Sequence, residues 1–443
     1  MLRTLSRNFI LNSYCIPTII GESGYAEIIA ALEPAQNGEP AGSRIGRFGD
    51  VAISSHFQPI FSLSHRRIVG HEALMRGHGP GQTPISPLDL LGRANRDYPT
   101  LLHLDRLARA THLHNFAAQP EADGWLFINM SPEVFLNGPN LKADELVSAL
   151  LRDTGLAPQR LVIEVLEEAV QDNSRFQAAV EFFRSLGFLI ALDDFGAGHS
   201  NFDRVWSIRP EIVKLDRSII VQAAADPKIR RTLPQIVSLL HEAGAMVLME
   251  GVETADEAYI ALESDVDFVQ GYYFGRPAPR VSTDASAGLA VNDLWQTFDA
   301  RWLRDKRSYH ENIAPYFNAL GYASVLLSAG RSLEEACASF LELENAAFCY
   351  LLDAQGQQIG TNLWSSDASP NQDARFAPLA KTKGARWARR PYFRRAVENF
   401  GKVQVTRPYL SISSASLCVT LSCSFKVNGE LQVICGDVRW EQR

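Results

Sequence analysis

Short, almost wholly apolar segments alternate with amphipathic segments through the middle of this chain. We predict strands at LFINMS, RLVIEVLE, LIALDDFG, EIVKLD, AMVLMEGVE and VDFVQGYYFG. Helices are predicted between them, and two of these end at Gly155 and Gly187. Apolar strands of this kind are typical of parallel sheets that are covered on both faces. Alternation over about 230 residues therefore predicts an α/β fold, a (β/α)8-type barrel, with an open doubly wound sheet as the alternative.

The first two strands differ from those that follow. VAISSHFQPIFSL and RIVGHEALMRG are separated only by a short polar turn. So short a connection joins antiparallel strands, because a parallel pair needs a long crossover. We therefore expect the barrel to begin with one antiparallel strand. The sequence has no G-x-G-x-x-G or P-loop motif that would support the open sheet.

The sequence pattern changes on both sides of the barrel region. Residues 34–48 are rich in Pro, Gly and Ser, so we assign residues 1–47 to an N-terminal tail and linker, and residues 48–290 to the barrel. Residues 291–345 have a mainly helical pattern and form a predicted connector. Residues 346–443 are rich in strand signals and are predicted to form a separate α+β domain.

Composition and charge narrow the class of protein. The chain has 443 residues, with 43 Lys and Arg against 50 Asp and Glu, a net charge of −7. This acidic balance gives no support to a DNA- or RNA-binding surface, although bound cations would still allow a small anionic ligand. The sequence has no apolar run of about 18 residues, so it predicts no membrane-spanning helix. The N-terminus lacks the apolar core of a secretory signal, and six cysteines without a CxxC pair favour free thiols in the cytoplasm.

Polar residues stand at or near the C-terminal ends of nearly all the predicted barrel strands. They are Glu72, Asn129, Glu164, Asp193, Asp194, Lys214, Glu250 and Gln270. These strand ends share one rim of a barrel, where active sites lie. Carboxylates in one pocket repel each other unless a cation neutralises them, and hard oxygen ligands suit Mg²⁺ or Mn²⁺ better than Zn²⁺. Each residue alone could be a helix cap or a solvated loop residue, but the whole set predicts a metal site.

The adjacent pair Asp193-Asp194 makes this prediction more specific. A glycine-containing loop, FGAGHS, follows the pair and can approach a ligand closely. One aspartate could bridge two metal ions while its neighbour binds one, and two ions about 4 Å apart recur in phosphodiester hydrolysis. Lys214 could be a simple ion-pair partner. Beside the carboxylates, it could instead orient a water molecule or neutralise developing charge.

These residues belong to an ordered series of motifs. The series is QPIF at 58–61, EALMR at 72–76, INMS at 128–131, EVLE at 164–167, DDFGAGHS at 193–200, VKLD at 213–216, EGVE at 250–253 and QGYYFGRP at 270–277. It resembles the EAL family of cyclic di-GMP phosphodiesterases, which is named for the tripeptide Glu72-Ala73-Leu74. The resemblance implies hydrolysis of cyclic di-GMP to linear pGpG by a homodimer that uses two Mg²⁺ or Mn²⁺ ions.

The resemblance also implies a role for each matched position. The matched metal ligands are Glu72, Asn129, Glu164, Asp193 and Asp194. Residues matched to the catalytic groups are Lys214 and Glu250, which orient or deprotonate the attacking water, and the ligand Glu72. On the substrate side are Arg76, Gln58 and Gln270, the last also at the water and metal site. Glu167 matches a glutamate that holds the loop after the aspartate pair.

Several positions depart from the family pattern. The loop reads AGHSN where TGYSS is usual, so His199 and Asn201 are uncommon, and Leu166, Phe202 and Met249 replace the usual Thr, Leu and Ala. None of these changes removes a matched metal ligand or Lys214. We therefore expect them to affect the loop and its regulation more than the chemistry.

The C-terminal region carries a weaker resemblance to PAS/Cache-like sensor modules, in a YkuI-type arrangement. It rests on RWARRPYFRRA, RPYLS and GDVRW, and a hairpin is predicted at Asn428-Gly429. The resemblance implies a small-molecule ligand near Arg390, Tyr409 and Asp437. The plainer interpretation is that the arginines form a solvated helix face.

Two other functions stay open on the sequence. One is a catalytically silent cyclic di-GMP receptor that signals through the second domain. The other is a different barrel enzyme, such as an enolase-type acid/base catalyst, which would also place acids and a lysine at strand ends.

Overall fold

A computed structural model describes most of the chain. The described residues are 24–35, 39–140, 143–166, 173–198, 202–283, 287–368, 381–411 and 416–440. The chain divides into two compact units, Met1–Ala300 and Arg301–Arg443. Among the described residues, no helix is both long enough and apolar enough to cross a membrane.

Eight strands of the first unit close into a barrel. They are β3 (Val51–Ser62), β4 (Arg67–His78), β6 (Trp125–Asn129), β7 (Leu161–Leu166), β8 (Leu189–Phe195), β9 (Ile212–Leu215), β10 (Met246–Met249) and β11 (Phe268–Val269). β4 and β6 to β11 pair in parallel in chain order, and β3 closes the ring by antiparallel pairing with both β4 and β11. The predicted (β/α)8-type barrel with an antiparallel first strand is therefore confirmed.

Helices cover the outside of the barrel strands. Those of the first unit are α1 (Tyr25–Ala30), α2 (Pro87–Ala94), α3 (Tyr98–Ala117), α4 (Pro132–Asn137), α5 (Ala143–Thr154), α6 (Asn173–Ser185), α7 (Phe202–Ile208), α8 (Arg217–Ala225), α9 (Pro227–Glu242) and α10 (Ala255–Glu263). Their apolar faces pack against outward-facing strand residues such as Ile163 and Val213 in one large cluster. This two-sided burial explains why the strands read as continuous apolar runs.

A second, smaller cluster fills the barrel interior. It consists of Ile60, Phe127, Val162, Ala191, Ile212, Leu248 and Phe268, one from each of seven strands. The eighth strand contributes Gly70, where a Cβ atom would lie 3.2 Å from the ring of Phe127. Because side chains alternate along a strand, the residue two positions further along each strand also points inward. We call this apolar layer the barrel floor. The polar residues at the strand ends, the rim residues, lie directly above it.

Residues 34–48 differ from the predicted linker. β1 (Leu32–Pro34) and β2 (Arg44–Phe48) extend the sheet beside β3, with β2 antiparallel to it, and β5 (Pro84–Ile85) extends it beyond β4. Phe48 is fully buried, and a Cβ atom at Gly46 would lie only 2.9 Å from Leu107 on α3. The glycine that suggested a linker instead permits close packing of β2 on a helix.

The second unit is built on an antiparallel sheet. Its strands are β12 (Ala346–Asp353), β13 (Gln358–Trp364), β14 (Gln404–Val405), β15 (Tyr409–Leu410), β16 (Leu417–Val427) and β17 (Glu430–Arg439). Their order is β13-β12-β17-β16-β14, with β15 also on β16. Asn428 and Gly429 both have positive φ between Val427 and Glu430, which confirms the predicted hairpin.

Helices pack on the sheet of the second unit. α11 (Ala287–Ser328) contributes residues to both units, and α12 (Leu333–Leu341) and α13 (Pro391–Glu398) follow. Leu320, Leu327 and Phe340 of α11 and α12 share one apolar cluster with the sheet, and Tyr392 and Phe393 of α13 share another. All five cysteines among the described residues are buried free thiols.

Candidate active site

The polar rim residues form a second layer directly above the barrel floor. Glu164 lies two residues after Val162, Lys214 two after Ile212, and Glu250 two after Leu248. The same spacing relates Asn129, Asp193, Gln270 and Glu72 to their floor residues. The structure therefore brings together the residues that the sequence predicted at strand ends.

Lys214 occupies the centre of this layer. Its Nζ lies 2.5 Å from Glu164 Oε1, 2.6 Å from Glu250 Oε1 and 3.0 Å from Asp193 Oδ1, with Glu72 Oε2 at 4.0 Å. The lysine side chain is only 1% exposed and that of Glu164 is fully buried. One cation therefore faces four carboxylates in a site that is largely closed to water.

This imbalance of charge shifts the pKa of the central groups. Burial, followed by the charge of Glu72, raises the pKa of Glu164 well above its usual value. Burial likewise raises the pKa of Glu250 to about 8. Burial alone would lower the pKa of Lys214, but the attraction of the surrounding carboxylates outweighs it and raises that pKa. The ionised carboxylates of this site would be stabilised by further positive charge.

Amide side chains orient Glu72 from two sides. Asn129 Nδ2 donates to Glu72 Oε1 at 2.9 Å, and Gln270 Nε2 donates to Glu72 Oε2 at 2.7 Å. Gln270 Nε2 also lies 3.3 Å from Gln58 Oε1, and Gln58 in turn donates to the Gly275 carbonyl oxygen. The sequence-predicted residues on β3, β4 and β6, together with Gln270 directly after β11, therefore form one hydrogen-bonded chain around the rim.

A backbone irregularity lets both adjacent aspartates contribute to the site. Neighbouring residues on a regular strand point to opposite faces, but the pairing of β8 with β9 shifts register between Leu192 and Phe195. Asp194 has a φ of 57°, a left-handed conformation that is unusual for a residue other than glycine. Carboxylate oxygens of Asp193, Asp194 and Glu250 come within 4.8 Å of one another.

The donor set fits hard divalent cations. Glu164 Oε2 and Gln270 Oε1 are buried without a hydrogen-bond partner among the described residues, and both atoms are oxygens. The carboxylate cluster Asp193, Asp194 and Glu250 offers oxygen ligands only. This set includes Glu250, which the sequence analysis placed with the catalytic groups rather than with the ligands.

A cavity with about 950 Å³ of empty space, part of it open to solvent, adjoins the cluster, and Asn129 and Glu164 line it on the cluster side. Arg76 lines the same cavity, and its Nη1 donates to the Met75 carbonyl oxygen. Leu74, Leu91 and Leu104 are among its apolar wall residues. A cavity of this kind can hold a ligand with both an anionic and an apolar part.

One polar residue of this cavity wall was missed by the sequence analysis. Asp105 of α3 accepts hydrogen bonds from Ser131 N at 2.8 Å and from Arg109 Nε at 2.7 Å. Its side chain is only 4% exposed. A carboxylate inside the apolar stretch LLHLDRLARA was a signal for a buried, partnered acid. Glu167, His199, Ser200 and Asn201 lie outside the described residues.

Comparison with known proteins gives the context of this site. Over 236 residues, the chain is 30% identical to an uncharacterized signaling protein of Caulobacter vibrioides. The aligned region covers 52% of this chain and 28% of that protein. It is 29% identical over 238 residues to the cyclic di-GMP phosphodiesterase NbdA of Pseudomonas aeruginosa, covering 52% of this chain and 29% of that protein. The chain thus spans less than a third of the length of these relatives.

A longer similarity extends beyond the barrel. The Bacillus subtilis protein YkuI is 22% identical over 350 residues, which cover 77% of this chain and 83% of YkuI. Its crystal structure, solved in complex with cyclic di-GMP and calcium, has a TM-score of 0.73 and covers 88% of this chain and 97% of YkuI at 20% identity. YkuI therefore shares the fold of both units.

The family model described as EAL domain matches residues 50–277. The match contains every described residue of the rim cluster and covers more than half of the chain. The protein therefore belongs to the EAL-domain family.

Proposed function

We propose that this protein hydrolyses cyclic di-GMP to linear pGpG in a metal-dependent reaction. The observation that carries the proposal is the cluster of four carboxylates around Lys214, beside a cavity that is lined by Arg76. A cyclic dinucleotide has two phosphates and two bases, which suits a cavity with one cationic group and an apolar wall.

The proposed metal ligands are Glu72, Asn129, Glu164, Asp193 and Asp194. Their oxygen-only chemistry supports Mg²⁺ or Mn²⁺, and the proximity of Asp193, Asp194 and Glu250 supports a second ion. When bound, such ions supply Lewis-acid activation of water and neutralise phosphate charge.

The chain's own groups have separate tasks in this proposal. Glu250 is the group that accepts a proton from the attacking water, because its carboxylate lies beside Asp193 and Asp194 and is held by Lys214 Nζ at 2.6 Å. Lys214 stabilises negative charge that develops on the phosphate. Gln270 and Gln58 orient Glu72 and the substrate side of the site, and Arg76 binds a substrate phosphate. Glu167 is proposed to hold the loop after the aspartate pair.

Further parts of the proposal concern the chain as a whole. Relatives that match the barrel include a cyclic di-GMP phosphodiesterase, which supports the substrate. We assign catalysis to residues 48–290 and regulation to a PAS/Cache-like domain at 346–443, joined by the connector 291–345, and we expect a homodimer. The similarity to YkuI over most of both chains supports this arrangement.

The test is production of pGpG by the purified full chain with Mg²⁺ or Mn²⁺. Glu72→Ala is expected to lower turnover by about a hundredfold or more, because it removes a ligand at the centre of the amide chain. Glu121→Ala, at an exposed position of the same unit, is the matched control and should keep full activity. Tight binding of cyclic di-GMP without turnover in either metal would instead establish a receptor.

The other rival is an acid/base enzyme of the enolase type. The adjacent aspartates at the bulge of β8 and the cavity beside Arg76 favour a phosphodiester substrate over a small carboxylic acid. A competition experiment separates these rivals. Cyclic di-GMP should protect the protein against thermal unfolding, and small carboxylic acids should not.

A further inference from the structure

The charge of this chain is divided unequally between its two units. Residues 301–443 carry 18 Lys and Arg against 13 Asp and Glu, whereas residues 1–300 carry 25 against 37. The positive excess arises from one segment, residues 381–407, which has nine Lys and Arg and a single acid, Glu398. A charge asymmetry of this kind in an acidic chain indicates an anionic partner for the positive unit.

α13 presents part of this charge on its outer face. Tyr392, Phe393 and Ala396 are buried against the sheet. The helical period places Arg394 and Arg395 on the opposite side, where both are exposed. Neither arginine forms an ion pair with a carboxylate among the residues that the structure describes, so their charge is available to a partner.

The turn after α13 adds an exposed aromatic ring beside these arginines. The carbonyl oxygen of Ser424 on β16 accepts a hydrogen bond from Gly401 N at 3.2 Å, and Ser424 Oγ donates to the Ala396 carbonyl oxygen at 2.6 Å. These bonds hold the turn on the sheet. Lys426 Nζ lies 5.8 Å from the centroid of the Phe400 ring, which stays 54% exposed. The fold therefore keeps a large apolar side chain at the surface next to a cation.

We call this surface the basic face. Its residues are Arg394, Arg395, Val397, Phe400, Lys402 and Lys426. All four cations are exposed, and Val397 is 36% exposed. Cations around exposed apolar side chains are typical of surfaces that bind peripherally to membranes, because the cations meet anionic headgroups while the apolar groups enter the interface.

The apolar residues of the basic face distinguish a membrane from a nucleic acid, which offers the same phosphate charge. Single-stranded nucleic acids bind aromatic side chains by stacking bases on an open ring face. One face of the Phe400 ring is occupied by Lys426, and Val397 is aliphatic and cannot stack. A lipid interface needs no free ring face, because it accepts apolar side chains in any orientation. These features favour the lipid surface.

We propose that the basic face docks on a bilayer that contains anionic phospholipids, with its cations against the lipid phosphates and Phe400 in the interface. α13 is only eight residues long, so the contact is confined to the headgroup region. This surface goes beyond the phosphodiesterase proposal and does not rest on it.

Co-sedimentation of the full chain with lipid vesicles tests the proposal. Vesicles of phosphatidylcholine with about 30% phosphatidylserine should bind the protein, and vesicles of phosphatidylcholine alone should not bind it measurably. Combining Arg394→Gln with Arg395→Gln should lower the affinity about twenty-five-fold, because each cation near an anionic bilayer raises it about fivefold. Phe400→Ser should lower the affinity about tenfold. Raising NaCl from about 0.1 to about 0.5 M should weaken wild-type binding by at least tenfold.

A matched control removes the same charge elsewhere in the second unit. Arg304→Gln combined with Arg307→Gln changes two exposed positions of α11 and should bind anionic vesicles like the wild type. The substituted residues of the basic face are also exposed, so their variants should fold, which equal unfolding midpoints would verify.

Three results would overturn the proposal. The first is no binding to anionic vesicles at up to about 1 mM lipid, with or without binding to a single-stranded oligonucleotide. The second is an equal loss of binding in the α11 control, and the third is wild-type affinity in Phe400→Ser. Hydrolysis of cyclic di-GMP is measured without vesicles and does not enter any of these outcomes.

Discussion

Lys214 on β9 and Glu250 directly after the neighbouring strand β10 form a buried ion pair with 2.6 Å between Nζ and Oε1. Replacing the lysine by methionine keeps much of the side-chain volume but removes the only cation placed among the four carboxylates of the cluster in the described part of the chain. We expect Lys214→Met to lower kcat by about a hundredfold or more and to change cyclic di-GMP affinity much less. Steady-state kinetics and equilibrium binding provide the two values.

The matched control is Lys228→Met, an exposed lysine outside the site, which should be neutral in both measurements. Equal losses of turnover and binding in Lys214→Met would contradict the role that we assign to the lysine.

The contact of Asp105 with Ser131 N predicts an effect on metal binding. Ser131 follows Asn129 by two residues, and Met130 N donates to the Glu164 carbonyl oxygen, so this segment is fixed on two sides. Asp105→Asn weakens one of these restraints and the ion pair with Arg109. We expect Mn²⁺ affinity of the folded protein to fall about tenfold, measured by calorimetry, and the unfolding midpoint to fall as well because a buried ion pair is weakened. Asp89→Asn, an exposed control, should bind Mn²⁺ like the wild type; unchanged affinity in Asp105→Asn would show that the contact is only structural.

The left-handed backbone conformation of Asp194 predicts different stabilities for two variants of that residue. Both Asp194→Asn and Asp194→Ala remove the carboxylate, so both should lose activity. Asparagine tolerates positive φ better than alanine does, so the alanine variant should be less stable by about 1 kcal/mol. Urea denaturation measures the difference. Equal stabilities would mean that the backbone relaxes when the aspartate is removed.

The buried His112 predicts a pH dependence of stability. Burial lowers the pKa of this histidine to about 3, from about 6.5 in the unfolded chain, and its Nδ1 lies 2.8 Å from Ser55 Oγ. The folded protein keeps His112 neutral, whereas the unfolded chain binds a proton at this residue below about pH 6.5. The contribution of His112 to the free energy of unfolding is therefore fully present above pH 6.5 and falls as the pH decreases toward 3. At pH 5.5 the loss should be about 1.4 kcal/mol of unfolding free energy.

Comparing wild type with His112→Gln isolates this effect from that of other histidines. The variant should be less stable at neutral pH, and its stability should change less between pH 7.5 and 5.5. Identical pH slopes for the two proteins would contradict the prediction.

Much of the fold could be predicted because local and global preferences agree. Each parallel strand is apolar on both sides and is followed by an amphipathic helix. The alternation of apolar and amphipathic segments in the sequence therefore predicts the barrel directly. The rim residues were predictable for the same reason, since parallel strands bring their ends together. Asn428 and Gly429 likewise specify their hairpin through local backbone preference alone.

Other features depend on contacts that local pattern does not report. β2 lies in a Gly- and Pro-rich segment, and its place in the sheet depends on Gly46 packing against α3. Asp105 acts through the backbone of a residue 26 positions away. The bulge that turns Asp193 and Asp194 to one side arises from pairing with β9, which a single strand sequence cannot reveal.

The two inward layers of the barrel have a consequence for tolerance to genetic change. Val162 and Glu164 are separated by one outward residue, as are Ile212 and Lys214. The alternation of inward and outward residues along each strand therefore decides which side chains enter the site. A substitution on the floor changes one contact. Deleting a single residue between floor and rim would reverse the facing of everything beyond it, replacing a charged group by an apolar one. Within these strands, length should therefore be more strictly preserved than residue identity.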